Sequence, residues 1–173
     1  MIYIVRHGQT NYNLEKRITG RIDISLNNTG IIEAKELKEE LKDISFDYVF
    51  VSPLKRAIET AKIITNNDLI IDDRLIERCN GDLEGKRKEE INFSFNFNDL
   101  YSKEHGIESV SEIRKRVNSF LNEIKRKYPH KNILIVTHGG IIINMRYYFE
   151  GEPKSGKVDE YLARNCDILK YEN

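Results

Sequence analysis

Three short runs of apolar residues recur along the chain: Ile2-Tyr3-Ile4-Val5, Asp47-Tyr48-Val49-Phe50-Val51 and Asn132-Ile133-Leu134-Ile135-Val136. Apolar runs of this length, free of internal charge, read as strands buried on both faces of a parallel sheet. Leu69-Ile70-Ile71 is a shorter strand candidate, and Cys166 to Tyr171 is expected to close the sheet as an edge strand. Between these runs the pattern turns helical. Ala34, Leu37, Leu41 and Ile44 share one helical face, with Asn28 or Thr29 as the predicted cap. Ser52 is expected to cap the next helix, with Pro53 in its first turn and Leu54, Ala57, Ala61 and Ile64 inside. Ser109-Val110-Ser111-Glu112 is a capping box that opens a long helix with Val110, Ile113, Val117, Phe120 and Ile124 facing inward. A further helix is predicted from Ile141 to Phe149. Alternating strands and helices argue for an α/β fold with a mostly parallel sheet.

The strand ends carry the chemistry. The first run leads into Arg6-His7-Gly8-Gln9-Thr10, the second into Ser52-Pro53-Leu54-Lys55-Arg56 and the third into Thr137-His138-Gly139-Gly140. Ligands of open α/β sheets bind beyond the carboxyl ends of the strands. If the three strands are parallel neighbours, Arg6, His7, Arg56 and His138 meet at one sheet edge. Arginine offers a planar fork of donors for phosphate oxygens. Neutral histidine is a nitrogen nucleophile. Gly8 is expected to let backbone approach a ligand closely.

Composition narrows the alternatives. The 173 residues suit one domain over positions 1–173, and no repeat or Gly/Ser linker divides them. Lysine plus arginine and aspartate plus glutamate number 28 each, so no net field favours nucleic acid or an acidic membrane. Lys86-Arg87-Lys88 and Arg114-Lys115-Arg116 are flanked by acids and read as solvated faces. No run is long enough to span a bilayer, and a strand opening at Ile2 leaves no room for a signal peptide. Two cysteines, Cys79 and Cys166, do not make a disulfide scaffold, so a reducing cytoplasm is expected. The histidines and cysteines lack metal-ligand spacing, so no metal or other cofactor is expected. Gly81 to Lys86 is one residue short of a P-loop and lacks its hydroxyl. Lys86 to Ile107 is the least regular segment; Phe93, Phe95 and Phe97 either pack on the core or belong to a lid over the site.

Five segments, in order, carry a resemblance to the histidine phosphatase superfamily, whose fold is called phosphoglycerate mutase-like. They are RHGQTNYN from Arg6, ITGRIDISL from Ile18, SPLKRAIETA from Ser52, LIERCNGDLEG from Leu75, and THGG from Thr137. The resemblance covers most of the chain and implies a three-layer α/β/α architecture. It implies that His7 attacks phosphorus, that Arg6, Arg56 and His138 stabilise the transferring group, and that Glu77 serves as general acid and then base. Gly8, Gln9, Thr10, Asn13, Thr19, Gly20, Arg78 and Gly139 are the expected phosphate- and substrate-binding positions. Asn80 stands where mutases often carry tyrosine. The short segment between Glu77 and His138 also fits the phosphatase branch, which includes α-ribazole phosphatases and broad-specificity phosphatases. The expected partner is a small phosphomonoester, possible identities including α-ribazole 5′-phosphate. The alternatives are a cofactor-dependent phosphoglycerate mutase and a catalytically silent phospho-ligand-binding module.

Overall fold

The computed structural model describes residues 1–91 and 100–173. The predicted contribution of Phe93, Phe95 and Phe97 to a core or a lid lies outside the described residues. Five strands form one sheet in the order β3-β2-β4-β1-β5. They are β1 (Ile2–Arg6), β2 (Tyr48–Val51), β3 (Leu69–Ile71), β4 (Ile133–Thr137) and β5 (Ile168–Tyr171). β1, β2, β3 and β4 are parallel, and β5 pairs antiparallel with β1 at the edge.

Strand alternation divides the core into two layers. Ile2, Ile4, Phe50, Ile133 and Ile135 face one side. Tyr3, Val5, Val49, Val51, Leu134 and Val136 face the other. The first layer is covered by α4 (Val110–Lys127) and α5 (Gly139–Glu150), the second by α2 (Asn28–Leu41) and α3 (Lys55–Ile64). A short α1 (Asn11–Leu14) follows the first strand. Each fully buried aliphatic side chain contributes roughly 1.5–3 kcal/mol, so the central strands anchor the loops at their ends.

Helix α4 follows its pattern: Ser109 and Glu112 form the capping box, and Val110, Ile113, Val117, Phe120 and Ile124 are buried. Two caps differ from expectation. Helix α2 is capped by Asn27, whose side chain accepts the Gly30 N–H, and Ile44 lies beyond the helix end. Helix α3 starts at Lys55 with no side-chain cap bond, leaving Pro53 outside it. The basic triplet on α4 is also not a uniform solvated face. Lys115 is exposed, Arg114 lies 4.3 Å over the Tyr147 ring, and Arg116 is turned inward with its side chain only 15% exposed. Position 116 follows Ile113 by three residues, which places it at the margin of the buried stripe.

Candidate active site

The floor of the site is a row of three strand ends. Arg6 of β1 lies opposite Thr137 of β4, and Val136 lies opposite Val51 of β2. His7, His138 and Ser52 come next in the chain and therefore emerge side by side, with His138 in the middle. Two backbone bonds carry the ladder one step further. The His7 N–H donates to the Thr137 carbonyl at 3.0 Å, and the Ser52 N–H to the Val136 carbonyl at 3.1 Å. The His7 and His138 ring centroids are 5.1 Å apart. His138 Nε2 sits 2.6 Å from the Ser52 hydroxyl. The hydroxyl predicted to cap α3 thus belongs to the strand-end row instead, where His138 takes it up.

Hydrogen bonds define the state of His7. Its Nδ1 is 2.7 Å from the Gly8 carbonyl, which can only accept. Nδ1 therefore carries the proton and Nε2 presents a lone pair. Arg56 Nε donates to that lone pair at 3.3 Å. Burial holds the His7 pKa well below its ordinary value, helped by the charges of Arg56 and Arg6. His138 is shifted the same way, by burial first and then by Arg56. Its Nδ1 is buried with no partner among the described residues.

The two arginines are held by carbonyls. Arg56, from the first turn of α3, donates to the Ile22 carbonyl at 2.8 Å and the Gly20 carbonyl at 2.7 Å. The Thr19 carbonyl accepts the Ile22 N–H, closing the turn that aims these groups. Gly20 has φ +51°, and a Cβ there would meet the Glu84 carboxylate at 2.1 Å. Arg6 donates to the Ala163 carbonyl at 2.6 Å, while its Nε is buried and unpartnered among the described residues. Gly139 lies beside the Arg6 guanidinium: a Cβ there would be 3.7 Å from its central carbon. Burial pushes the pKa of both guanidinium groups down.

The loop after His7 is locked from within. Thr10 and Asn13 form a capping box around α1. Asn13 Oδ1 accepts from the Thr10 N–H, the Thr10 hydroxyl and Asn165 Nδ2, which leaves the Asn13 Nδ2 hydrogens to donate elsewhere. Asn165 also donates to the His7 carbonyl at 2.8 Å. Gln9 Oε1 accepts from Asn27, and its N–H donates to Glu33. Thr10 thus uses these groups on the loop itself, and Gln9 uses its own on helix α2 and its cap. Gly8 has a close neighbour that the sequence does not announce. A Cβ there would lie 2.5 Å from the Gly30 carbonyl oxygen, so its missing side chain admits helix α2.

The acid-bearing loop forms the rim. One oxygen of Glu77 accepts the Arg78 N–H at 2.7 Å, and the other accepts the Gly140 N–H at 3.2 Å. A Cβ on Gly140 would lie 2.5 Å from Glu77 Oε1. Arg78 is buried, and its Nε donates to the Glu108 carbonyl at 2.8 Å. Next to this loop lies an open groove of about 360 Å³ whose lining includes Arg21, Cys79, Lys103 and Glu108. Both thiols are free, and burial pushes that of Cys166 up to about 12. Among the described residues, no group of three His, Cys, Asp or Glu side chains could hold a metal ion.

Sequence reasoning did not single out Ser52 as a partner of His138, nor Asn165, Arg21, Glu108 or Arg116. Only Ser52 had a usable signal, since it ends the second strand as the histidines end the first and third. The other contacts join positions far apart in the chain.

The family model of the histidine phosphatase superfamily (branch 1) matches residues 2–172. The chain is 38% identical to the uncharacterized phosphatase PhoE of Bacillus subtilis over 144 residues, covering 82% of this chain and 72% of that protein. It is 33% identical to phosphoglycerate mutase-like protein 4 of Arabidopsis thaliana over 183 residues, covering 98% and 78%. A phosphoserine phosphatase of Entamoeba histolytica, solved with 3-phosphoglyceric acid, superposes with a TM-score of 0.80 at 28% identity, covering 96% of this chain and 87% of that one. The chain belongs to the histidine phosphatase superfamily, branch 1.

Proposed function

We propose that the chain hydrolyses small phosphomonoesters through a phosphohistidine on His7. The carrying observation is the buried, neutral His7, whose Nε2 lone pair sits 3.3 Å from Arg56 Nε at the sheet edge. A bound phosphate takes over this donor, and Nε2 attacks phosphorus in line. The P–O bond to the leaving group breaks as the N–P bond forms. Glu77 gives its proton to the departing alkoxide. Water then attacks the phosphohistidine, Glu77 takes its proton, and the N–P bond breaks to release phosphate and restore His7.

Arg6, Arg56 and His138 stabilise the equatorial oxygens, which is most of what phosphoryl transfer requires. His138 adds a buried imidazole to the row, with its Nε2 against the Ser52 hydroxyl and its Nδ1 without a partner among the described residues. Asn13 supplies amide hydrogens from the adjoining loop. Among the described residues no helix is long and apolar enough to cross a membrane. We assign the chain to the reducing cytoplasm, a reading supported by its two free thiols.

The test is a panel of phosphoserine, 3-phosphoglycerate, α-ribazole 5′-phosphate, phosphosugars and nucleotides, assayed for phosphate release, with rapid-quench trapping of the phosphoenzyme. Turnover of at least one alkyl phosphate and an acid-labile phosphate on His7 are expected. Isomerisation of 3-phosphoglycerate that depends on 2,3-bisphosphoglycerate, without net hydrolysis, would establish a mutase instead. Saturable binding without turnover would establish a silent module.

A further inference from the structure

The reading of Glu77 as proton donor leaves one matter open: what fixes an acid that sits on an irregular segment. Residues Asp73–Leu75 form a single 3-10 turn, and Ile76 is already extended. Neither helix nor sheet pairing holds the backbone of Glu77. A guanidinium from another element does so. Arg116 of α4 donates from one terminal nitrogen to the carbonyls of Arg74 (2.6 Å) and Ile76 (2.7 Å), and from the other to the carbonyl of Glu77 (3.4 Å).

The remaining donors of Arg116 meet Glu108 side-on, at 2.8 Å from Nε and 2.9 Å from the second terminal nitrogen. Both side chains are largely shielded, 15% and 12% exposed. Arg21 closes the arrangement from the opposite loop. Its Nε donates to the Glu77 carbonyl at 3.0 Å, and a terminal nitrogen meets Glu108 at 3.1 Å. The Glu77 carbonyl thus faces two guanidinium groups, both oriented by one carboxylate.

We propose that Arg116 is the positioning residue for Glu77: its planar fork, oriented by Glu108, pins three carbonyls of the acid loop, those of Arg74, Ile76 and Glu77, to α4 and so fixes the reach of the Glu77 carboxyl to the leaving oxygen. Arginine is required because one planar group must serve a bidentate carboxylate and three carbonyls together. Lysine is a point charge with donors in a different geometry. Arg116 touches no reacting atom, so its influence falls on protonation of the leaving group.

The proposal rests on Glu77 being the acid, and the experiment separates the two claims. R116K, R116M, E77Q and E77Q/R116M are compared on the best alkyl phosphate of the panel and on p-nitrophenyl phosphate, whose leaving group departs without a proton. Displacements of about 1 Å cost up to roughly a hundredfold. R116M is therefore expected to lose between tenfold and a hundredfold, roughly, in kcat/KM on the alkyl phosphate and less than about threefold on p-nitrophenyl phosphate. R116K falls between R116M and the unaltered chain. E77Q/R116M loses no more than E77Q alone, since the two act through one proton. If R116M fails to fold, R116K is read by the same leaving-group criterion. Equal losses on both substrates, or fully additive losses in the double variant, would overturn the role of Arg116. If E77Q itself is blind to the leaving group, the failure lies with Glu77 as acid; if only the Arg116 variants are blind, it lies with this proposal alone.

Discussion

The floor and the rim of the site handle charge in opposite ways. On the floor, Arg56 rests on the carbonyls of Gly20 and Ile22, Arg6 on that of Ala163, and His7 on that of Gly8. Carbonyl dipoles orient a cation without cancelling it. On the rim, cations meet carboxylates directly: Arg21 and Arg116 share Glu108, and Lys103 pairs with Glu112. Among the described residues, neither Arg6 nor the fully buried Arg56 has an ion-pair partner. The difference teaches where the work lies. Under the proposed mechanism, the floor would serve a phosphate dianion whatever is attached to it, while the rim would meet the leaving group and hold the proton donor still.

The sharpest way to break this division is His7→Ala. Deleting a covalent nucleophile costs on the order of 10⁴- to 10⁶-fold in kcat. The fold is expected to persist, with an unchanged far-ultraviolet circular dichroism spectrum and cooperative unfolding, because His7 sits past the end of β1. Residual turnover within tenfold of the unaltered chain, or an acid-labile phosphate trapped elsewhere, would move the nucleophile.

Glu77→Gln probes the rim. Its single amide oxygen can keep one of the two backbone bonds, from Gly140 or from Arg78, but it has no proton to give. The expected loss is roughly a hundred- to ten-thousandfold on alkyl phosphates and far less on p-nitrophenyl phosphate. Matching losses on the two substrates would make Glu77 a binding residue and direct the search for the acid to Asp82 and Glu84 in the same loop.

The smallest effect is a pH dependence of stability, and it comes from the floor. His7 and His138 have depressed pKa values when folded. In the window below about 6.5, the unfolded chain therefore binds protons that the native chain refuses. Stability falls with pH through that window, by about 1.4 kcal/mol per pH unit for each histidine at most. Above about 6.5 these groups contribute no slope. Urea midpoints measured between pH 7.5 and 5.5 would show this, and the slope should flatten in His138→Gln. An unchanged slope in that variant would mean that His138 is protonated in the folded chain.

Legibility followed the range of the interactions. The strands were readable because each is a run buried on both faces, and α4 because Ser109 and Glu112 close a local box. Parallel pairing of those runs was enough to bring Arg6, His7, Arg56 and His138 together, since strand ends share an edge. Ser52 was misread because its local context, a serine before proline and a helix, is that of a cap, while the competing partner lies 86 residues away. Gly8 shows the limit of such reading: a glycine marks a close approach without naming what approaches, and here helix α2 is one such neighbour. Arg116 was hidden by charged neighbours; in a basic triplet, sequence does not mark which side chain turns inward.

The sheet order has a consequence for synthesis on the ribosome. β1 is made before the other four strands of the sheet, yet its neighbours are β4 and β5. Ile2 and Ile4, fully buried in the finished protein, have no strand to lie beside until residues 133 and beyond have appeared. The Arg6 guanidinium then waits for Ala163 and the His7 carbonyl for Asn165. Pairings this distant in sequence form late and leave apolar strands exposed in the interim. The strand end that carries Arg6 and His7 is thus complete only after residues 133–165 have joined it, so the row of strand ends is assembled late although its first member is made well before its partners.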